Sequence, residues 1–143
     1  MNGLKQLSLR FSFILLFVLS LGYSCKDEYN SSIPYVYVNF QVNLVNYNDL
    51  TVPGNAVFFS GGYGGIVVLY NGISYYAFDA ACPYEVDPAC RITVDGGIGT
   101  CPCCGTQYNL WDGGYTLSGT GPGTQSLKQY QVSYSANRLY ITN

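Results

Sequence analysis

Five of the six cysteines in this 143-residue chain lie in two short segments that also contain proline. The first cysteine loop, residues 82–90, reads Cys-Pro-Tyr-Glu-Val-Asp-Pro-Ala-Cys, and the second cysteine loop, residues 101–106, reads Cys-Pro-Cys-Cys-Gly-Thr. Such a concentration of a reactive residue indicates metal ligation, disulfide formation or both. Because five is odd, and because Cys103 and Cys104 are adjacent and poorly placed to bond to each other, at least one thiol must stay free or bind something else.

Conventional enzymatic chemistry has little support in the rest of the chain. There is no histidine, the commonest general base, and no serine or cysteine has an obvious activating partner in the sequence. The acids that flank the cysteine loops are expected to cap turns and to face solvent: they are Asp79, Glu85, Asp87 and Asp95. The composition therefore favours an electron carrier or a binding module over a catalyst.

The scaffold that must position the loops reads as a series of short strands. Residues 36–44 alternate apolar and polar side chains, which is the period of a strand with one buried face. Asn71-Gly72 predicts a tight hairpin with positive φ at both corners, and residues 95–99 are expected to form a turn. Because no stretch shows helical spacing over three turns, the sequence predicts an antiparallel β-sandwich or small barrel. The other predicted strands are 56–60, 66–70, 73–78, 91–94, 107–111, 129–133 and 139–141.

The two loops resemble the cluster-binding loops of Rieske-type iron–sulfur domains. That family holds a [2Fe–2S] cluster between two loops, with two cysteines on one iron and two histidines on the other. Residues 82–84 stand where the family has Cys-x-His, and residues 101–106 stand where it has Cys-Pro-Cys-His-Gly-Ser. Both cysteine ligands are present, whereas Tyr84 and Cys104 occupy the places of the histidines. The resemblance covers roughly residues 54 to 142.

The resemblance implies a Rieske-like all-β domain at 35–143, with a cluster-binding subdomain at about 80–112. It also implies a disulfide between Cys90 and Cys103. Three thiols then remain as metal ligands, with Tyr84 or Glu85 as a fourth donor. We call these remaining residues the thiol triad: Cys82, Cys101 and Cys104.

Three further features match the family around the cluster. Thr106 and Tyr108 occupy the positions of hydroxyl donors to the cluster sulfurs, although both are also ordinary sheet residues. Residues 119–123, Gly-Thr-Gly-Pro-Gly, resemble the proline-containing loop that covers the cluster. The function implied is [2Fe–2S] binding and electron transfer. Two alternatives stay open, namely a cluster-free, disulfide-stapled module with a structural or binding role at the cell envelope, and a structural zinc site on the triad.

The N-terminal segment predicts export and lipid anchoring. Residues 1–24 have a positive start, an apolar run and a small-residue cleavage region, as secretory signals do. Cys25 follows directly and resembles the acylated cysteine of a bacterial lipoprotein, with residues 25–34 as a lipidated tether. Residues 26–28, Lys-Asp-Glu, resemble the acidic tag that directs lipoproteins of the Bacteroidetes to the cell surface. We therefore expect a protein anchored to the outer membrane, with simple secretion after cleavage near Ser24 as the alternative.

The signal also bears on how a cluster would be loaded. Lys5 and Arg10 are separated by four residues and do not form a twin-arginine pair, which predicts export of the unfolded chain. A cluster needs the folded site, so it would have to be inserted after export.

Charge narrows the choice of partners. From Cys25 onward the chain has four basic and eight acidic residues, a net charge of −4, and the basic residues do not cluster. Neutralising phosphates requires a basic patch, so nucleic acid is not an expected partner. The expected partners are the membrane, through Cys25, and an unidentified redox or envelope partner.

Overall fold

Two antiparallel sheets carry the regular structure of the computed structural model, which describes residues 31–143. The larger sheet has six strands in the order β1-β10-β9-β4-β3-β2, and the smaller has four in the order β5-β6-β7-β8. The predicted all-β antiparallel class is confirmed. The strands are β1 (Asn39–Asn43), β2 (Ala56–Phe59), β3 (Ile66–Tyr70), β4 (Tyr75–Asp79), β5 (Thr93–Asp95), β6 (Ile98–Thr100), β7 (Gln107–Asn109), β8 (Tyr115–Thr116), β9 (Gln129–Ser135) and β10 (Arg138–Thr142).

Strand β3 separates two hydrophobic cores. Successive side chains of a strand point to opposite faces, so a strand covered on both faces is apolar throughout. Val67 and Leu69 pack into the core that contains the cysteine loops, whereas Ile66 and Val68 pack into a second core inside the six-stranded sheet. All four side chains are fully buried. The six-stranded sheet therefore packs directly against the subdomain that carries the cysteine loops.

The six-stranded sheet curls until its two edges meet. The Phe40 ring of β1 lies 5.7 Å from the Phe59 ring of β2, although these strands occupy opposite edges of the sheet. Strand β1 begins three residues later than predicted, at Asn39. It ends at Asn43, whose side chain accepts a hydrogen bond from Val45 N and starts a 3₁₀ turn at Leu44–Asn46. A second 3₁₀ turn follows at Asn48–Thr51.

The predicted hairpin at Asn71-Gly72 is present, but the predicted geometry of its turn was wrong. Tyr70 pairs with Tyr75, so four residues connect the strands rather than two. The Asn71 side chain accepts hydrogen bonds from Ile73 N at 3.0 Å and Ser74 N at 2.8 Å. Of the four turn residues 71–74, only Gly72 has a positive φ, and Asn71 acts through its side chain rather than through a left-handed backbone.

The predicted turn at 95–99 was also wrong in part. Gly96 and Gly97 alone form the corner, with φ of 54° and 82°, and Ile98–Thr100 forms a strand. Two adjacent glycines suit such a tight corner because positive φ costs them little. The Trp111 indole donates to Gly96 O at 2.9 Å and covers the corner. The strand β6 created here leads directly into the second cysteine loop.

The described residues 31–143 form one compact unit. Ile33 is 3% exposed, so the last residues of the predicted tether pack on the domain. The predicted signal segment, Cys25 and the acidic tag lie outside the described residues. Within 31–143, none of the helices is long and apolar enough to span a membrane.

Candidate metal centre

A buried carboxylate organises the entry to the first cysteine loop. Asp79, at the end of β4, is fully buried and accepts hydrogen bonds from Tyr63 N at 2.6 Å, Gly64 N at 2.8 Å and Ala81 N at 3.0 Å. The Tyr130 hydroxyl donates a fourth bond at 2.7 Å. A buried carboxylate needs such donors, because it has lost its hydration. Asp79 thus binds turn N–H groups as expected, but the expectation that it faces solvent was wrong, because its carboxylate is fully buried.

The first cysteine loop is closed at its base by backbone hydrogen bonds. Ile92 N donates to Ala80 O at 2.8 Å, and Cys82 N donates to Cys90 O at 3.2 Å. These bonds make the residues on either side of the loop antiparallel neighbours. Cys82 is therefore held directly beyond the end of β4 and against the core.

The second cysteine loop connects β6 to β7 as a hairpin. Thr100 pairs with Gln107, and inside the loop Gly105 N donates to Cys101 O at 2.9 Å while Cys101 N donates to Thr106 O at 2.9 Å. Gly105 has a φ of 77°, a conformation that favours glycine. The short loop turns its cysteines toward the first loop.

A disulfide bond joins the two loops. Cys90 and Cys103 are bonded, with a Cα–Cα distance of 5.7 Å and a sequence separation of 13 residues. This is the pair that the family resemblance implied. The bond brings together the elements that carry the remaining cysteines.

The thiol triad converges between the loops. The three Sγ atoms all lie within 4.8 Å of one another, and those of Cys82 and Cys104 are 3.7 Å apart. Cys82 and Cys101 are fully buried, whereas Cys104 is partly exposed. No other group of three or more acidic, histidine or cysteine side chains within 31–143 has metal-binding spacing. Glu85 is exposed and does not belong to this group.

Two buried hydroxyls contact the triad. The Tyr108 hydroxyl lies 3.3 Å from Cys82 Sγ, and Thr106 Oγ1 lies 3.2 Å from Cys104 Sγ. Both side chains are fully buried. Both residues were expected to lie close to the sulfurs, and both contact a sulfur of the triad.

The glycine-rich loop 119–123 packs against the second cysteine loop. Gly123 N donates to Thr106 Oγ1 at 2.9 Å, and a Cβ atom built on Gly121 would lie 2.5 Å from Thr106 N. Only glycine permits this approach at position 121. The loop thus lies against the residue that contacts Cys104, as expected for a covering loop.

Burial and hydrogen bonds shift the pKa values of Cys101 and Cys104 in opposite directions. Loss of hydration, with hydrogen bonds to the neighbouring thiols, raises the pKa of Cys101 to about 12, although its backbone contacts act in the opposite direction. Burial also tends to raise the pKa of Cys104, but hydrogen bonds from Thr106 and the other two thiols outweigh it and lower that pKa. Without a metal, negative charge is therefore accommodated more readily on Cys104 than on Cys101.

Tyr84 occupies a different environment from the triad. Its side chain is 54% exposed. Among residues 31–143 no hydrogen bond connects its hydroxyl to the three thiols. Its role as fourth donor therefore stays a prediction.

One contact of the first loop was missed by sequence reasoning. Ser32 Oγ lies 2.6 Å from Pro83 O and 2.8 Å from Oε1 of Gln125. Pro83 and Gln125 are 51 and 93 positions from Ser32 along the chain. No sequence pattern around a single serine predicts a contact with such distant residues. Ser32 therefore connects the start of the folded unit to both the first cysteine loop and the segment after the covering loop.

Known proteins resemble this chain in structure rather than in sequence. No family model matches it, and a search of curated proteins finds no match. A solved complex of reduced oxygenase and oxidized ferredoxin in carbazole 1,9a-dioxygenase contains a chain with a TM-score of 0.53 and 21% identity, over 76% of this chain and 94% of that one. The ferredoxin of carbazole 1,9a-dioxygenase from Nocardioides aromaticivorans IC177 has a TM-score of 0.50 and 15% identity, over 75% of this chain and 97% of that one. This chain therefore has a Rieske-like all-β fold in which a two-loop subdomain brings three thiols together.

Proposed function

We propose that this chain is an electron-transfer domain whose thiol triad binds a metal centre, with a [2Fe–2S] cluster as the first candidate. The observation that carries the proposal is the convergence of three Sγ atoms, from two loops, to within 4.8 Å of one another. The loops are joined by a disulfide and belong to a Rieske-like fold.

The donor set fits an iron–sulfur cluster in chemical type and in three of the four positions. Thiolates are soft ligands that favour iron–sulfur clusters and zinc over magnesium or calcium. Cys82 and Cys101 match the family's cysteine ligands, and Cys104 takes the place of one histidine. Tyr84 is the proposed fourth donor; because its side chain is more than half exposed, its ring would have to turn toward the triad. A bound cluster would supply reversible one-electron transfer.

The chain's own residues would control such a centre through charge and hydrogen bonds. A thiolate at Cys104 in place of a neutral imidazole adds negative charge, which favours the oxidised state. The potential is therefore expected to fall from the Rieske range toward the roughly −400 mV of plant-type ferredoxins. The hydroxyls of Tyr108 and Thr106, which lie 3.3 and 3.2 Å from triad sulfurs, would offset part of this shift.

A structural zinc site is the second candidate, and the spacing of the sulfurs favours it. Zinc–sulfur bonds of about 2.3 Å in a tetrahedron place neighbouring sulfurs about 3.8 Å apart. The Cys82 and Cys104 sulfurs are 3.7 Å apart, as ligands of one ion would be. In a two-iron cluster, ligands of different irons are held further apart by the bridging sulfides, so the triad would have to open.

The test is metal analysis of the full-length, natively exported protein. Two irons and two acid-labile sulfides per chain, with a visible spectrum that is bleached on reduction, would support the electron carrier. One zinc per chain and no visible absorption would support the structural site. If the protein contains no metal and takes up neither zinc nor a cluster on reconstitution, the proposal fails and the disulfide-stapled module remains.

Two variants test the ligand assignment. Cys104→Ser should lose the metal while keeping the stability of the metal-free protein, because Cys104 is partly exposed and outside the disulfide. Tyr84→Phe should weaken metal binding if the phenolate is the fourth donor, and should leave it unchanged if water takes that place. A Cys104→Ser protein with full metal content would contradict the assignment.

The location of the protein is proposed from sequence alone. Acylation of Cys25 would anchor the domain to the outer membrane, where an unidentified redox or envelope partner would meet it. In cells, Cys25→Ser should release the protein from the membrane fraction. Retention of this variant with the membranes would contradict lipid anchoring.

A further inference from the structure

We propose that, in the metal-free protein, Cys104 and Cys82 act as a redox-active dithiol that exchanges with disulfide substrates. This activity goes beyond metal binding and does not depend on it. The observation that carries the proposal is the 3.7 Å contact between the two sulfurs, which lie in different loops. A thiol pair at this distance needs only a small movement to reach the roughly 2.05 Å of a disulfide bond.

The two cysteines differ in access to solvent, which assigns their roles. Cys104 is partly exposed, whereas Cys82 is fully buried. An incoming disulfide can therefore reach Cys104 first. Redox-active cysteines commonly combine an accessible attacking thiol with a nearby resolving thiol. Cys104 is the attacking thiol and Cys82 the resolving thiol.

The neighbouring disulfide makes closure of the second bond easy. Cys103, which directly precedes Cys104, is already bonded to Cys90. The two loops are thus joined next to Cys104 in the second loop, and in the first loop a 3.2 Å hydrogen bond from Cys82 N to Cys90 O holds Cys90 beside Cys82. Closure requires rotation of side chains rather than the approach of two free segments, so little loop entropy is lost.

The proposed reaction consists of two successive thiol–disulfide exchanges. The Cys104 thiolate attacks one sulfur of the substrate disulfide, forming a mixed disulfide and releasing the first substrate thiol. The Cys82 thiolate then attacks Cys104 Sγ, forming the Cys82–Cys104 bond and releasing the second thiol. The protein loses two protons and two electrons, and the substrate disulfide is reduced to two thiols.

Cys101 is the thiol that this reaction leaves over. Like Cys82 it is fully buried, so a substrate cannot reach it first, and its backbone N–H and C=O are both held inside the second loop. The 3.7 Å sulfur contact of Cys104 is with Cys82, which is therefore the resolving thiol. Three thiols can form only one internal bond. Cys101 should therefore stay reduced when the other two are oxidised.

The test uses the full chain, freed of metal with a chelator and incubated with excess oxidised glutathione. Free thiols are then alkylated, and the bonds are mapped by mass spectrometry of peptides, which keeps Cys25 separate from the triad. The expected result is a Cys82–Cys104 bond beside the existing Cys90–Cys103 bond, with Cys101 alkylated. Alkylation of all three triad thiols would overturn the proposal, and so would a new bond that includes Cys101.

Two variants separate the roles of the thiols. In Cys82→Ser the resolving thiol is absent, so Cys104 should accumulate as a mixed disulfide with glutathione. In the metal-free protein, Cys101→Ser should still form the Cys82–Cys104 bond, because Cys101 takes no part in the exchange. Loss of exchange in Cys101→Ser would overturn the assignment.

The metal proposal and the exchange proposal can fail separately. A protein that binds no metal but forms the Cys82–Cys104 bond would refute only the metal proposal. A metalloprotein whose metal-free form keeps three free thiols would refute only the exchange proposal.

Discussion

The Tyr130 hydroxyl donates a 2.7 Å hydrogen bond to the buried carboxylate of Asp79. The two residues are 51 positions apart, and the bond connects β9 to the end of β4. Asp79 also accepts the backbone bonds that shape the entry to the first cysteine loop. The Asp79 carboxylate therefore contributes both to the stability of the fold and to the position of the first cysteine loop, which carries Cys82.

Tyr130→Phe should destabilise the fold because it removes one of four donors from a buried carboxylate. The expected loss in the free energy of unfolding is about 1–3 kcal/mol. Urea unfolding followed by the fluorescence of Trp111 measures it. Tyr134→Phe is the control, because Tyr134 is 57% exposed and its hydroxyl donates to the side chain of Asn137 rather than to a buried carboxylate. Equal losses in the two variants would contradict the role of Asp79.

Stability should fall at alkaline pH. Burial, and then the hydrogen bond to Asp79, raises the pKa of Tyr130 above its ordinary value of 10.0. Above about pH 10 the unfolded chain releases this tyrosine proton while the folded protein retains it, so the free energy of unfolding decreases as pH rises. Below that pH the contribution is fully present.

The alkaline effect can be assigned to Tyr130 by comparison with Tyr130→Phe. The free energy of unfolding of parent and variant is measured between about pH 8 and pH 11. The variant should show a shallower decline, because its phenylalanine has no proton to release. Identical slopes would mean that other groups cause the decline.

Cys90→Ser should lower the free energy of unfolding by about 3 kcal/mol, since the disulfide closes a short loop and restricts the unfolded chain. Chemical denaturation without reductant measures the loss. Cys103→Ser removes the same bond and should cost as much, and the double variant should add little to either. A single variant that unfolds like the parent would show that the bond does not stabilise the protein.

Thr106→Val should weaken the attachment of the covering loop. The variant keeps the shape of the side chain but leaves Gly123 N without its acceptor, which should cost about 1–3 kcal/mol. It also removes the contact with Cys104. Thr120→Val is the matched control, because Thr120 accepts from Gln107 N in the same region without touching a triad sulfur. The visible spectrum of the metal-loaded protein should change in Thr106→Val and stay the same in Thr120→Val.

Local patterns in the sequence were sufficient for much of the fold. Strand β3 was predicted with its observed bounds, because a five-residue apolar run between a glycine-rich turn and Asn-Gly has few alternatives. The strand β6 was missed, because Ile98–Thr100 is too short to show a period and its glycine resembles a turn residue. The Asn71 hairpin shows the same limit, since a side chain decided its geometry.

By itself the sequence determined the all-β class, the two proline-bearing cysteine loops and the odd number of cysteines in those loops, because each is a property of composition or of neighbouring residues. Only the tertiary structure decided that Cys82 and Cys104 meet at 3.7 Å, that Tyr84 is largely exposed and that Ser32 binds the first loop. Contacts between distant segments depend on how two sheets pack and on the register of their strands. No short stretch of sequence encodes that register, so the reactive pairing of the thiols could be found only in the folded molecule.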